Sequence, residues 1–368
     1  MFRRVMTAGF LSLLLVGAAP VSGQFLASDL IYVPGSAHNE GVGNSLWRTD
    51  LFITNVEEIA VDVAIVYLPT GLVSNTQLFA NRDTWLGGRE EQGFGFVNPA
   101  LADIAPGATI VLRDVVGEYW RAELEVAGSG ALVVFSYEAG TLEDDGTRVL
   151  KNVIVNSRIY NTTTIWEPDP DNEGEFLEVP ATYGQTMPGV PWYNMADASA
   201  VSEDGDFSFQ ILTGATSNDE FRYNLGVVNA SDPLTTVTVA IQPFQGNGEP
   251  FLDDNGNPRV FRVALPPASN VQYNNVLNLL FELEDVADDV SIDVSILSWS
   301  STNSTPVPGI TIYGAYVDNR SNDPTAVLPA FAFPYNVECQ WGPPGGGGST
   351  KGAAGPRKGP RPLEIPAR

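Results

Sequence analysis

From about residue 28 onward, apolar and polar residues alternate in short runs that Gly, Pro, Asn and Asp separate. Side chains of a β-strand point to opposite faces in turn, so this alternation indicates strands with one buried face. About seven runs precede residue 161, the number that an immunoglobulin-like sandwich requires. The predicted strands of this first unit are residues 30–33, 47–55, 61–67, 93–97, 108–113, 131–137 and 149–160, and Pro34-Gly35 is expected to end the first strand.

The strand at residues 47–55 occurs twice. Its sequence, Trp-Arg-Thr-Asp-Leu-Phe-Ile-Thr-Asn, returns as Phe-Arg-Tyr-Asn-Leu-Gly-Val-Val-Asn at residues 221–229, an offset of 174 positions (221 minus 47). The flanking features repeat in the same order: an opening strand, an alternating strand, a Pro turn, a short helix and a closing strand. Asp114 and Asn275 precede the two helices, where a side-chain oxygen is expected to accept from the free amides of the first turn.

The repeat predicts an all-β fold of two tandem, homologous immunoglobulin-like β-sandwiches, each with one short helix, followed by a disordered C-terminal tail. The tail is basic and rich in Gly and Pro, and it has too few apolar residues to bury a core. The predicted organisation is a signal peptide (1–23), a first sandwich (24–163), an acidic and aromatic connector (164–195), a second sandwich (196–338) and the flexible tail (339–368).

The N-terminus has the pattern of an export signal. Arg3 and Arg4 precede an apolar core at residues 10–16, and small residues at 21–23 indicate cleavage ahead of Gln24. The apolar core is too short to anchor the chain in a bilayer. We therefore expect a protein that is secreted or held at the cell surface, with no membrane insertion after the signal is removed.

The chain is strongly acidic, with 44 Asp and Glu against 19 Lys and Arg and a formal net charge of −25. Loss of Arg3 and Arg4 with the signal lowers this charge to −27, and the tail from Trp341 carries a net +4, so the body carries −31. Such a surface repels nucleic acid and anionic lipid. The expected partners are the chain itself, other surface proteins and glycans, and nucleic acid is excluded.

Cys339 is the only cysteine of the chain. No internal disulfide can therefore form, and each of the two domains must be stabilised by burial of its own core. The thiol is either inert or an intermolecular link.

Several motifs occur in a fixed order: Trp47-Arg48-Thr49-Asp50-Leu51, Pro-Gly at 106–107 before Asp-Val-Val at 114–116, Ser-Arg-Ile-Tyr-Asn at 157–161, and Tyr-Gly-Gln at 183–185. Together with the leader, this pattern resembles a group of uncharacterised secreted bacterial proteins with tandem immunoglobulin-like β-sandwich units, over most of residues 28–330. The resemblance implies the fold and export, and it implies no activity.

Residue types suited to catalysis are scarce. His38 is the only histidine, which excludes metal clusters built from several histidines, and no Ser in a nucleophile-elbow pattern lies near it in the sequence. We expect a loop histidine in solvent. A glycosidase needs two carboxylates, and the sequence singles out no pair among its 44 acids. The chain is therefore predicted not to be an enzyme, with a carboxylate-based hydrolase as the most distant alternative.

One stretch of the connector places acidic oxygens at alternate positions, with Gly at the sixth, and so resembles the start of a calcium loop. It departs from that loop at Pro170 and at the twelfth position, Pro180, where a bidentate acid belongs. The alternatives are a calcium site and a solvated acidic linker, and no other cofactor is predicted. The candidate calcium ligands are Asp169, Asp171, Glu173 and Glu175.

Aromatic residues outside the repeat are the candidates for ligand binding. Trp85, Trp192 and Tyr193 lie in Gly- or Pro-bounded segments, where a planar ring can stack on a sugar or on another protein. Since Trp192 and Tyr193 lie in the connector, the alternative is that they fill the contact between the domains. Trp47 and Phe221 are equivalent positions of the repeat and are expected in the cores.

The duplication, the scarcity of catalytic patterns and the acidic body with a basic tail favour a non-catalytic exported protein. We expect a structural and adhesive component of the cell surface or extracellular space that assembles with itself. The alternative is a carbohydrate-binding module that uses the loop aromatics.

Overall fold

The computed structural model describes residues 26–40, 46–71, 101–120, 128–141, 149–169, 175–197, 209–231, 234–302, 308–320 and 324–332. Strands and turns make up most of this part of the chain. Its first half contains β1 (Leu30–Glu40), β2 (Leu46–Asn55), β3 (Val61–Pro69), β4 (Thr109–Leu112), α1 (Val115–Tyr119), β5 (Gly128–Glu138), β6 (Val153–Pro168), β7 (Phe176–Pro188), β8 (Val190–Pro191), a 3₁₀ turn (Trp192–Asn194) and β9 (Ala196–Asp197). Its second half contains β10 (Phe209–Ser217), β11 (Phe221–Asn229), β12 (Thr235–Phe244), β13 (Phe261–Leu265), β14 (Asn270–Tyr273), α2 (Val276–Phe281), β15 (Val286–Ser301), β16 (Gly309–Asp318), β17 (Pro324–Val327) and β18 (Ala330–Ala332).

The first eight strands form one connected system in which β1 takes part in two layers. The strand order is β3-β5-β1-β2-β6-β7, with β4 paired to β2 and β8 paired to β1. The beginning of β1 pairs with β5 (Ile31 with Val134), and its end pairs with β2 (Asn39 with Trp47). Apolar side chains of both layers pack in one core, which makes the unit a β-sandwich.

The expectation that Pro34-Gly35 ends the first strand is wrong, because β1 continues to Glu40. The ladder between β1 and β5 shifts its register between Val33 and Ser36. Proline has no N–H to donate, so it fits such an irregularity without the loss of a ladder hydrogen bond. Beyond the shift, β1 pairs with β5 as far as His38 and with β2 from Asn39.

The second half repeats this strand order and adds two strands, β13 and β9. Its order is β12-β15-β10-β11-β16-β17, with β13 outside β12, β14 paired to β11, β18 paired to β10 and β9 paired to β16. The register repeats as well, since Asn55 pairs with Val153 in the first unit and Asn229 pairs with Ile310 in the second. The prediction of an all-β fold in two tandem sandwiches, each with one short helix, is confirmed.

Each unit has its own apolar core. Along β12, Val237, Val239 and Ile241 are fully buried, whereas Thr236 and Thr238 on the other face are partly exposed, as the alternation predicts. The two short helices add buried side chains to the cores: Val115 and Val116 in α1, and Val276, Leu277 and Phe281 in α2.

Among the described residues, no helix is long and apolar enough to cross a membrane.

The residues before the two helices differ from the expected N-caps. Asp114 and Asn275 have φ values of 43° and 50°, in the left-handed region, and neither side chain accepts a hydrogen bond from its helix. Their backbone N–H groups instead donate to Asp50 Oδ1 and Asn224 Oδ1, each at 3.0 Å. Asp and Asn tolerate this backbone conformation better than most residues. The predicted capping bonds are therefore wrong, and both side chains take other partners.

Trp47 and Phe221 are half-buried and do not lie in the two main cores, contrary to expectation. Trp47 packs against a small apolar cluster that contains Ile159 and Tyr313. The Phe221 ring lies 4.6 Å from the Tyr316 ring between centroids. By strand alternation Trp47 shares a face with the core residues of β2, but it lies beyond the end of the core.

Much of the predicted connector belongs to the first sheet. β7 pairs with β6 along its whole length, from Phe176 opposite Pro168 to Pro188 opposite Asn156. The motifs at residues 157–161 and 183–185 lie opposite each other in this hairpin. A Cβ on Gly184 would lie 2.5 Å from both the Ile159 carbonyl oxygen and the Tyr160 Cβ, so the close approach of the two strands requires glycine there.

Candidate functional site

A buried charged cluster lies in the first unit, where the end of β1 meets α1. His38 Nδ1 is hydrogen-bonded to both carboxylate oxygens of Asp114, at 2.9 and 3.0 Å. His38 is 8% exposed and Asp114 is 6% exposed, so the expectation of a loop histidine in solvent is wrong. The physical reason is that β1 does not stop at Pro34, and its continuation places the histidine against the acid that precedes α1.

Asp50 connects this cluster to β2 and β6. Its carboxylate accepts from the backbone N–H of Asp114 at 3.0 Å and from the Tyr160 hydroxyl at 3.3 Å, and it forms an ion pair with Arg113. Arg48 Nη1 lies 3.7 Å from Asp114 Oδ2, so each buried acid has an arginine partner. A buried carboxylate is tolerated when it is paired and hydrogen-bonded in this way.

Tyr160 lies at the β6 side of the cluster. Burial, and then the negative charge of Asp50, raise the pKa of Tyr160, so its phenol keeps the proton that it donates to that carboxylate. Arg158 lies over the tyrosine ring, with 4.9 Å between Cζ and the ring centroid. The hydroxyl therefore serves Asp50 as a donor.

Gly117 in α1 leaves space for the histidine. A Cβ at this position would lie 2.1 Å from His38 Nδ1 and 2.7 Å from Asp114 Oδ2. Interiors are close-packed, so a larger residue at 117 would displace the imidazole or the carboxylate. The cluster therefore depends on the glycine three positions after Asp114.

The second unit has the same positions without the buried acids. Ser217 pairs with Arg222 in the ladder between β10 and β11, and its Oγ donates to Asn275 Oδ1 at 2.9 Å, where the first unit has the contact of His38 with Asp114. Neutral side chains therefore make the corresponding contacts in the second unit, so the sandwich does not require the buried acids. The replacements are Ser217 for His38, Asn224 for Asp50, Asn275 for Asp114 and Val317 for Tyr160.

This cluster was not predicted from the sequence. Its signal was present in the aligned repeats, because four ionisable residues of the first copy stand where the second has neutral ones. The offset of 174 at residues 47–55 reveals the replacement of Asp50 by Asn224. The replacement of His38 by Ser217 is readable only after β1 and β10 are aligned past Gly35 and Gly214, where the offset becomes 179 (217 minus 38).

The cluster contains His38, its partner Asp114 and a second buried acid, Asp50. Within the described residues, the hydrogen-bond partner of His38 Nδ1 is a carboxylate, and no Ser, Thr or Cys is bonded to the ring. Nucleophilic catalysis requires a nucleophile within hydrogen-bond reach of the base. In the same part of the chain, no group of three or more His, Cys, Asp or Glu residues has the arrangement of a metal site. The contacts that are present join β1, β2, α1 and β6.

The two sandwiches contact each other through an apolar cluster that we call the domain seam. Across it, the Gly71 N–H donates to the Asn270 carbonyl at 2.7 Å, and the Tyr32 hydroxyl donates to the Ala230 carbonyl at 3.3 Å. Apolar burial and hydrogen bonds thus act together at this contact. The domain seam consists of Leu30, Tyr32, Val66, Leu68, Ala131 and Val133 of the first unit with Val228 and Ala268 of the second.

Trp192 is one of the aromatic residues predicted to bind a ligand. It lies in the 3₁₀ turn after β8 and packs against the domain seam. Its Nε1–H donates to Asp29 Oδ1 at 2.9 Å. The structure thus places this ring at the contact between the domains. Tyr193 follows it in the same turn. Trp85 and Cys339 lie outside the described residues.

The acidic stretch lies at the tip of the β6–β7 hairpin. The Asp169 N–H donates to the Glu175 carbonyl at 2.9 Å, which closes the hairpin loop. Asp171 and Glu173 lie outside the described residues, so the calcium site stays a prediction. Of the described candidates, Asp169 and Glu175 lie at the hairpin tip and Trp192 lies at the domain seam.

The fold and these contacts define an all-β protein of two tandem β-sandwich domains that are joined by an apolar seam. The chain matches no family model and no curated protein. The resemblance to secreted bacterial proteins with tandem units therefore stays a prediction.

Proposed function

We propose that this chain is an exported, non-catalytic structural and adhesive protein of the cell surface or extracellular space, and that it assembles with itself. The observation that carries the proposal is the domain seam. Contacts between domains of one chain permit relative motion unless they are large and apolar. Here the seam buries side chains of both units, and hydrogen bonds cross it, which favours one joined body over two independent domains.

The first sheet offers a surface for assembly at its outermost strand, β7. Among the described residues, β7 pairs with β6 on one side and with no strand on the other. Near the hairpin tip, Phe176 is 59% exposed and Leu177 is 44% exposed. An edge strand with exposed apolar side chains has free N–H and C=O groups that can pair with another chain.

A second copy of this chain is the partner that the charges favour. The body carries a formal net charge of −31 and the tail from Trp341 carries +4, so the tail of one copy is attracted to the body of another. Attraction of this kind is screened beyond about 10 Å at ordinary salt. Assembly that uses it therefore weakens as salt rises.

Light scattering on the mature chain, residues 24–368, and on a chain that ends at residue 341 tests the proposal. We expect self-association that weakens at high salt, after truncation, and in Leu177→Glu, which places a charge on the β7 edge. Leu279→Glu is the matched control, because Leu279 is 60% exposed on the second unit. If every form is monomeric at each salt and protein concentration, the structural hypothesis is wrong.

A further inference from the structure

A cleft of about 410 Å³ lies between the two sandwiches, beside the domain seam. Ligand sites have volumes of roughly 300–1,000 Å³ and occur preferentially at domain junctions. Both units contribute to this one, which we call the seam cleft. Its lining includes Ser36, Trp47 and Gln185 from the first unit and Asn224, Gln272 and Tyr313 from the second.

The polar lining of the seam cleft is mostly uncharged. Each side-chain amide offers two N–H donors and an acceptor oxygen, and a sugar hydroxyl likewise both donates and accepts. Among the described lining residues, Glu40 and Arg222 are the charged ones, and Arg222 Nη1 already donates to Asn319 Oδ1 at 2.8 Å. The amides are Asn39, Gln185, Asn224, Gln272 and Asn274.

Two polar atoms of the lining are buried without a hydrogen-bond partner among the described residues: Ser36 Oγ and Gln185 Oε1. Ser36 is 3% exposed, so its hydroxyl lies inside the protein and not at the rim. Buried polar groups in native proteins are nearly always hydrogen-bonded. A ligand with hydroxyl groups that reaches these two atoms would supply the missing hydrogen bonds.

A chain of hydrogen bonds orients the amides on the opposite wall. The Tyr313 hydroxyl donates to Gln272 Oε1 at 2.8 Å, and Gln272 Nε2 donates to Asn274 Oδ1 at 2.9 Å. Burial raises the pKa of Tyr313, so the first donor of this chain keeps its proton. With its oxygen engaged, Asn274 has the N–H groups of Nδ2 to offer. Asn224 is arranged in the same way, because its Oδ1 accepts the Asn275 N–H.

The seam cleft also has an aromatic wall, formed by Trp47 and Tyr313. Trp47 is half-buried, and an indole ring can pack against the apolar C–H face of a pyranose. We propose that the seam cleft is a binding site for a neutral saccharide, held by side-chain amides from both domains and by the Trp47 ring. None of the loop aromatics that the sequence singled out is needed for this site. Gln185 of the lining belongs to β7, but it pairs with Ile159, nine positions along the strand from Phe176 at the hairpin tip where assembly is proposed.

Isothermal titration calorimetry with neutral gluco-, xylo-, manno-, galacto- and chito-oligosaccharides tests the proposal on the mature chain. We expect at least one series to bind. Gln185→Ala and Asn274→Ala should each weaken that binding about tenfold, which corresponds to about 1.4 kcal/mol. Asn247→Ala is the matched control, since Asn247 is an exposed amide in a turn of the second unit and does not line the cleft.

Thermal unfolding of the two variants must match that of the natural chain, so that loss of binding is not loss of fold. The proposal is overturned if no series binds, or if both cleft variants bind as the natural chain does. An oligogalacturonide serves as the charged probe, and its tighter binding would overturn the assignment to neutral ligands. Self-association in light scattering is not expected to change in either cleft variant.

Discussion

Asn55 and Asn229 lie at the same place in the two sandwiches and make the same hydrogen bonds. Nδ2 of Asn55 donates to the Ile104 carbonyl at 2.8 Å, and Nδ2 of Asn229 donates to the Leu265 carbonyl at 3.0 Å. Each Oδ1 accepts the backbone N–H of the second residue after its own, at 2.8 and 3.0 Å. Each asparagine thus joins the end of one strand to the Pro turn that precedes β4 in the first unit and β14 in the second.

Replacement of either asparagine by alanine is expected to destabilise the protein. Asn55 is 0% exposed and Asn229 is 1% exposed, so the loss of either side chain removes buried hydrogen bonds to backbone carbonyl groups. Loss of buried hydrogen bonds of this kind costs about 1–3 kcal/mol of unfolding free energy. Urea denaturation followed by tryptophan fluorescence measures it. Asn247→Ala, at an exposed site, is the control. If Asn55→Ala and Asn229→Ala change the unfolding free energy no more than this control does, the two buried side chains do not stabilise the fold.

Gly117→Ala is expected to lower the unfolding free energy by about 1–3 kcal/mol, because the new methyl group overlaps the His38 ring. In a His38→Ala background the same change should cost less, since the ring is gone. A double-mutant cycle measures this coupling. Gly309→Ala is the control, because a Cβ there meets nothing closer than 3.6 Å. Equal costs in both backgrounds would show that the histidine and the glycine are independent.

Trp192→Ala is expected to weaken the contact between the domains. Loss of a half-buried indole and of its hydrogen bond to Asp29 should cost about 2 kcal/mol, less than the removal of a fully buried ring. In differential scanning calorimetry, we expect one unfolding transition to separate into two. Trp299→Ala, at a site that is 39% exposed, should preserve a single transition. If Trp192→Ala alters ligand binding alone, the ring is a binding residue, as the other hypothesis holds.

Asp293 is expected to make the second unit less stable as pH rises. Asp293 lies on β15 between Ile211 of β10 and Gln242 of β12, and burial raises its pKa to about 6. An Asp in the unfolded chain has a pKa of about 3.9, so between these values the native state binds more protons than the unfolded state. Stability therefore falls through this window and stays lower above it.

Asp293→Asn removes this ionisation. The variant should melt at a higher temperature than the natural chain at about pH 7.5, and the difference should disappear near about pH 4. Asp289→Asn is the control on the same strand, because Asp289 is exposed. A variant that melts below the natural chain at neutral pH would show that the carboxylate of Asp293 is stabilising.

The sequence by itself determined the strands and their duplication. Alternation along β12 identified Val237, Val239 and Ile241 as core residues, because the side-chain period of a strand is a local property. The repeat of residues 47–55 at 221–229 predicted that the two units share one strand order, and the structure has that order in both.

Tertiary structure decided which polar residues meet. The burial of His38 depends on a register shift at Pro34 and on a carboxylate 76 positions away, and neither is visible in a local pattern. The connector became a strand of the first sheet because β6 pairs with it, although its composition is that of a linker. Trp192 and the seam cleft depend on how the two sandwiches pack. Such long-range contacts follow from the packing of whole domains, which local periodicity does not encode.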